Sequence, residues 1–222
     1  MLFVVTLMVN FSGILLFYRL FRETGLFAWI AFATIAANIE VVKCVDIAGL
    51  PVTLGNVIYG TIFLATDILS EIYGGKESRK GVFIGFLAMI VFTAMTQVNL
   101  HFIPNENDTA SDAMRTIFSL TPRICLASVI SYVISNTLDT FTYDFIRRVL
   151  PADGYLWVRN NGSTMTSQMV DAVLFTWLAF GGLYSTADVW VLCMTTYAVK
   201  FIVAVCDTPF LYIAKKMHAR WG

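Results

Sequence analysis

Charge is what this chain has least of. Of its 222 residues only 14% are Asp, Glu, Lys or Arg, 58% are hydrophobic, and the mean hydropathy is +0.72. A soluble domain with a hydrated surface carries about a quarter of its residues as charge, so this scarcity excludes one and indicates an integral membrane protein. The fifteen acids and fifteen bases cancel, which leaves no net basic field to hold a nucleic acid. Histidine is limited to His101 and His218, neither in an HExxH or other metal-ligand spacing, so a metalloprotease has nothing to build on. The four cysteines, Cys44, Cys125, Cys193 and Cys206, sit in apolar runs without CxxC spacing and read as packing residues rather than a disulfide frame or metal site. No GxSxG elbow occurs, and Gly74-Gly75 and Gly181-Gly182 read as turns after helices rather than phosphate cradles. A basic n-region is missing from the apolar start, as is a small-residue cleavage site before Tyr18. A first spanning helix is therefore expected rather than a removable signal.

What the chain does have is long apolar runs. Crossing a hydrocarbon core of about 30 Å takes roughly 20 helical residues. Seven segments qualify: Met1 to Tyr18, Leu26 to Asp46, Asn56 to Tyr73, Val82 to Phe102, Arg123 to Ile146, Thr164 to Leu183 and Val189 to Ile213. Eighteen Phe, nine Tyr and five Trp suit lipid contact and the membrane interface. Basic residues alternate between the connecting loops: Arg19 and Arg22, then Lys76, Arg79 and Lys80, then Arg147, Arg148 and Arg159, then Lys215, Lys216 and Arg220. Only Arg115 and Arg123 fall in the opposite set, among Glu106, Asp108 and Asp112. Because cytoplasmic loops hold the excess of Lys and Arg, the N-terminus is expected outside and the C-terminus inside. Residues 1–222 then form one all-α membrane domain, a polytopic helix bundle, with TASDAMRTIF forming a short interfacial helix capped by Thr109 or Ser111.

Within the spans a small set of polar residues survives: Asn38, Glu40 and Lys43 in the second, Asp67 and Glu71 in the third, and Asp139 in the fifth. The sixth carries Gln168 and Asp171, and the seventh Lys200 and Asp207. A charge near a helix centre costs about 2.5–3.5 kcal/mol on insertion scales, so these side chains are expected to face a polar interior. At 1.5 Å per residue, Asp67 and Lys200 both reach about mid-depth, and Lys200 is expected to neutralise Asp67 or Asp171. Glu71 and Asp139 lie near inner ends, where snorkelling or helix capping explains them as well, and Glu40 with Lys43 suits a local ion pair. Pro209 is expected to kink the last span, and Asn160-Asn161-Gly162 to form a turn before a Ser163 or Thr164 cap. An intramembrane acid pair could also serve an aspartyl protease, but the Gly-rich context such a site uses is absent around Asp67 and Asp171. No catalytic residue, cofactor or metal ligand is therefore expected.

Five ordered stretches, ANIEVVK, TDILSEIYGGKESRK, RICLASVISYVISNTLD, LWVRNNGSTMTSQMVDAVLF and YAVKFIVAVCDTPFLY, resemble the queuosine-precursor transporters, also called the vitamin uptake transporter family. The resemblance covers about Leu26 to Ile213 and leaves the first span, residues 1–18, as an added element on a six-helix core of 26–213. It implies import of 7-deazaguanine precursors of queuosine across the bacterial inner membrane, and a relationship to substrate-binding components of energy-coupling-factor transporters. The matching motifs carry Asn38, Lys43, Asp67, Glu71, Gln168, Asp171, Lys200 and Asp207 as substrate-site candidates. A 7-deazaguanine offers a ring N–H and an exocyclic amine that one carboxylate can accept together, while an amide or Lys donates to its carbonyl oxygen. Phe63, Phe175, Trp177 and Tyr197 are candidate stacking partners for the flat ring. The alternative is a binding component that needs an ATPase partner. Ala33 and Ala37, in small-xxx-small spacing, would allow such a contact, and equally packing within the bundle or across a homodimer.

Overall fold

The protein is seen here as a computed structural model that describes residues 2–47, 49–150 and 156–220, with the side chains of 139, 140, 143, 144, 147, 156–161, 164, 204, 205 and 208 left out of the description. The order of elements is α1 (Leu2–Glu40), β1 (Cys44–Ile47), β2 (Leu50–Thr53), α2 (Gly55–Tyr73), α3 (Gly75–Asn99), α4 (Ser111–Phe118), α5 (Thr121–Val149), α6 (Leu156–Phe180) and α7 (Thr186–Ala219). Among the described residues, four stretches are long and apolar enough to cross a membrane: Leu2–Glu40, Gly75–Asn99, Ser111–Leu138 and Thr186–Val203. The chain is a helical, multi-pass membrane protein. Two of the helices outside those stretches, α2 and α6, hold Asp67, Glu71, Gln168 and Asp171.

The first two expected spans form one helical element broken at Arg22, whose φ of 54° and ψ of −131° lie outside helical space. Beyond the break the chain folds back. A side chain at Gly25 would collide with the carbonyl of Phe17, and Gly13 lies against the Trp29 ring, where a Cβ would come within 2.7 Å. Only glycine lets the two arms approach this closely. The second arm stops at Glu40, short of the expected Asp46, because the chain turns into the antiparallel hairpin β1–β2, which pairs Cys44 with Thr53 and Val45 with Val52. Gly49 carries the hairpin turn at φ 80°. Lys43 is thus not in a spanning helix; it is an exposed residue in the connection, whose N–H donates to the Glu40 carbonyl (3.0 Å) and whose carbonyl accepts from Leu54 (3.0 Å).

The chain divides into two compact units. One comprises Met1–Pro122 with Ala198–Gly222, the other Arg123–Tyr197. The core of the first is built from both arms of α1 with α2 and the later part of α7: Phe11, Ile14, Tyr18, Leu26, Ile30, Leu64, Ile68 and Val203 are buried. Phe11 stacks on Phe210 with centroids 4.5 Å apart, and the Trp29 indole N–H donates to Thr61 Oγ1 at 2.9 Å, so a polar atom in this apolar core is satisfied. Ala33 and Ala37 are buried inside this unit, so their small surfaces are used within the fold. The start of α4 is held by Asp108, which accepts from the backbone N–H groups of Ala110 (2.7 Å) and Ser111 (2.8 Å) and from Ser111 Oγ (2.7 Å). Asp108 takes the role expected of Thr109 or Ser111, since its carboxylate reaches forward to the orphan donors of the first turn.

In the second unit α5 and α6 run antiparallel. Arg123, at the start of α5, donates to the carbonyls of Leu178 (2.7 Å) and Gly181 at the end of α6, and Ser135 reaches Asp171 farther along. A guanidinium on the last carbonyls of a helix satisfies acceptors that have no intrahelical partner and suits the negative end of its dipole. The turn expected at Asn160–Gly162 lies inside α6, and Ser163 is buried within that helix.

Candidate functional site

On α2 and α7 the polar residues fall in a register that the packing dictates. Gly60 meets Val203, with no room for a side chain between them. Asp67 lies seven residues after Gly60, and Lys200 and Asp207 lie three before and four after Val203, so each helix turns its polar residues toward the face of contact. The two helices run in the same direction, and their rungs follow in order: Lys200 with Tyr59, Val203 with Gly60, Asp207 with Asp67, Lys215 with Glu71, and His218 with Tyr73. Lys200 is buried, with Nζ 5.0 Å from the Tyr59 ring centroid, and Tyr59 in turn meets Phe63 edge-on at 5.4 Å. A cation over an aromatic face is a stabilising arrangement where water is excluded.

Asp67 and Asp207 are near enough for their charges to interact, yet among the described residues neither makes a hydrogen bond or ion pair. The expected neutralisation of Asp67 by Lys200 is therefore not what forms. Asp67 is exposed and Asp207 half-buried, so their like charges remain open to a cation, a proton or the donor edge of a solute. Glu71 has a different task. It accepts from Lys215 at 2.6 Å across 144 residues of sequence, one turn beyond Asp67, and Tyr73 packs on His218 with centroids 5.5 Å apart. In the turn that follows α2, Lys80 pairs with Glu77 at 2.9 Å. No Glu40–Lys43 ion pair forms among the described residues. Asn38 is buried and donates to the Thr34 carbonyl at 2.7 Å.

The other candidates belong to the second unit. Asp171, 4% exposed, accepts from Ser135 Oγ at 3.3 Å and acts electrostatically on Tyr132. Gln168, three residues away on α6, is half-buried, with Oε1 fully enclosed and without a partner among the described residues. Ser128, Ser131 and Ser135 recur on one face of α5 and are all buried. Of the candidate stacking residues, Phe175 meets Phe180 and Trp177 meets Trp190, at 6.1 and 5.7 Å between centroids. Asp139 lies within α5, and its side chain is outside the description.

Sequence reasoning passed over Tyr59, Tyr132, Ser131 and Ser135. The serine stripe was legible in RICLASVISYVISN at i, i+3 and i+7, but a filter for ionisable groups does not register hydroxyls. Chemically, the two units hold carboxylates, a buried ammonium, an amide and hydroxyls on helices that are otherwise apolar. Such sets bind polar solutes or ions rather than break bonds.

A family profile described as "Putative vitamin uptake transporter" matches residues 53–214. The chain belongs to the vitamin uptake transporter family. A Bacillus subtilis (strain 168) protein named "Probable queuosine precursor transporter" is 48% identical over 210 residues, 94% of this chain and 91% of its own length. A Haemophilus influenzae protein of the same name is 28% identical over 61% of this chain and 54% of its own length. The "Queuosine precursor transporter" of Escherichia coli (strain K12) is 24% identical over 65% of this chain and 62% of its own length. No solved structure matches. The match typical of the vitamin uptake transporter family takes in Asp67, Glu71, Gln168, Asp171, Lys200 and Asp207, and leaves α1 and β1 outside it.

Proposed function

We propose that the protein imports queuosine precursors, 7-cyano-7-deazaguanine, 7-aminomethyl-7-deazaguanine or a related 7-deazapurine such as queuine, across a bacterial inner membrane. The observation that carries this is the 48% identity, along 94% of the chain, to a protein named for that transport. The chemistry of the two units agrees with it. A neutral, flat, donor-rich base needs acceptors and a few donors in an otherwise apolar bundle, and Asp67, Asp207, Asp171, Gln168 and Lys200 offer both.

In this proposal residues 26–213 form the six-span core of a single membrane domain and residues 1–18 an added span. The N-terminus lies outside and the C-terminus inside, since the inner loops then carry eleven of the fifteen bases even with Lys43 counted among the outer ones. Asp67 and Asp207, with Asn38, in the first unit and Asp171 in the second are each proposed to meet the substrate on its way across the membrane. Glu71 supports the site through Lys215, and Lys43 stands at its outer rim. The substrate is a small molecule, the solvent is lipid, and no enzyme step is involved, consistent with relatives that are named as transporters.

The binding-component alternative loses its only sequence signal, because Ala33 and Ala37 are buried inside the chain's own fold. Purified protein in liposomes decides between them. Accumulation of labelled precursor without ATP or a second protein is expected; binding without uptake would support a component that needs an ATPase.

A further inference from the structure

Three separate parts of the chain bring their bases to one end of the first unit. Residues 18–27 around the break of α1, 71–80 where α2 gives way to α3, and 212–220 at the end of α7 together hold eight Lys and Arg against three Glu. Contacts draw these parts together. Glu71 accepts from Lys215 and Tyr73 meets the His218 ring, which joins α2 to α7. Lys80 stands 4.8 Å over the Phe27 ring, and Glu23 is near enough to act on both Glu77 and Lys80, which joins α3 to the second arm of α1. Tyr18 and Tyr73 also interact, so α1 meets α2 at the same level. At the opposite end of these helices, in residues 40–56 and 99–122, the balance reverses to five acids against two bases.

The three glutamates are spent inside the cluster. Glu77 holds Lys80 at 2.9 Å, Glu71 holds Lys215 at 2.6 Å, and Glu23 lies beside the first of these pairs. Arg19, Arg79, Lys216 and Arg220 are exposed and make no ion pair among the described residues. Like charges gathered at one end repel one another, and an anion from outside the chain relieves that repulsion. The apolar neighbours of these bases identify the anion. Phe21 follows Arg19 by two residues, Phe83 lies one helical turn from Arg79, and Tyr212 lies one turn from Lys216; all three are exposed. A free phosphate or an acidic peptide has no use for such a border. A phospholipid sets its phosphate among the bases and its acyl chains along the apolar side chains. We propose that this end of the first unit binds anionic phospholipid, with phosphates held at Arg19, Arg79, Lys216 and Arg220 and acyl chains against Phe21, Phe83 and Tyr212. The inference rests on the membrane character of the chain and not on the substrate proposed above.

The test uses the full-length protein, delipidated in a neutral detergent, with Tm followed by tryptophan fluorescence. The probes are dilauroyl-phosphatidylglycerol, dilauroyl-phosphatidylcholine and inorganic phosphate; the two lipids share their chains and differ in headgroup charge. A ligand of the folded state raises Tm, so wild type is expected to gain several degrees from phosphatidylglycerol and little from the other two. The quadruple variant Arg19→Gln, Arg79→Gln, Lys216→Gln, Arg220→Gln is expected to keep the lipid-free Tm, since exposed side chains without partners contribute little to stability. Its apparent affinity for phosphatidylglycerol is expected to fall roughly several hundred-fold, at about fivefold for each base near an anionic surface. Arg79→Gln alone is expected to lose about fivefold and decides the matter should the quadruple variant not fold. Arg115→Gln, at the opposite end, is expected to respond as wild type. Equal gains from both lipids, a gain from inorganic phosphate that matches phosphatidylglycerol, a wild-type response in Arg79→Gln, or an equal loss in Arg115→Gln would each overturn the inference.

Discussion

Alanine at Gly60 would place a Cβ closer to Val203 Cγ1 than real contacts allow, and within 3.1 and 3.6 Å of that residue's Cβ and Cγ2. Neither neighbour is the loose end of a long side chain, and Val203 is β-branched and buried, so it has little rotamer freedom with which to yield. The helices must part instead. Overpacking of this kind costs about 1–3 kcal/mol, and for a chain of this length each kcal/mol lowers Tm by roughly 2–4 °C. Thermal unfolding of the detergent-solubilised protein, followed by tryptophan fluorescence, should show Gly60→Ala several degrees below wild type. Val203→Ala removes the obstructing methyls and leaves a gap of its own, so the double variant should be more stable than the sum of the single losses by at least about 0.5 kcal/mol, as touching residues are. A wild-type Tm for Gly60→Ala, or strict additivity in the double variant, would refute the α2–α7 register on which the Asp67–Asp207 proximity depends.

Glu71→Ala and Lys215→Ala each remove an ion pair whose side chains are 51% and 47% exposed, so the loss of stability should stay within about 1 kcal/mol, and precursor uptake should persist; abolished uptake in both variants would return Glu71 to the substrate site. Asp108 lies outside the spanning segments, and bonds from Ser111 Oγ and from the N–H groups of Ala110 and Ser111 hold its carboxyl below the ordinary value of 3.8. A lowered folded value adds stability that is present above 3.8 and lost as the pH falls through that lowered value. Amide exchange at the start of α4 should accelerate only in that acid range and should do so at neutral pH in Asp108→Ala. Equal protection in the variant and wild type at neutral pH would contradict the cap.

Hydropathy alone located most of the helices, because twenty apolar residues in a row have few other uses. The hairpin at Cys44–Thr53 was hidden for the same reason. Val45, Ile47, Val52 and their neighbours extend the apolar run, so an averaging window passes through the turn at Gly49 and carries Lys43 into a span. The break at Arg22 coincides with the charged interval expected between the first two spans, whereas the tight reversal at Gly25 depends on where Phe17 lies in space. The acids were conspicuous one by one, since ionisable groups in apolar helices stand out. Their partners were not: Glu71 finds Lys215 across 144 residues, and no local spacing encodes that choice. Nor does sequence reveal that Ser135 reaches Asp171, since the antiparallel packing of α5 on α6 sets which turns meet.

Uptake of labelled 7-cyano-7-deazaguanine into liposomes containing wild-type protein, Asp67→Asn or Asp171→Asn addresses the central claim most directly. Each substitution keeps the size of the side chain and removes its charge. Rapid accumulation with wild type and background levels with both variants, at equal protein insertion, is the predicted result. Wild-type rates in both variants would contradict the claim that these carboxylates hold the substrate.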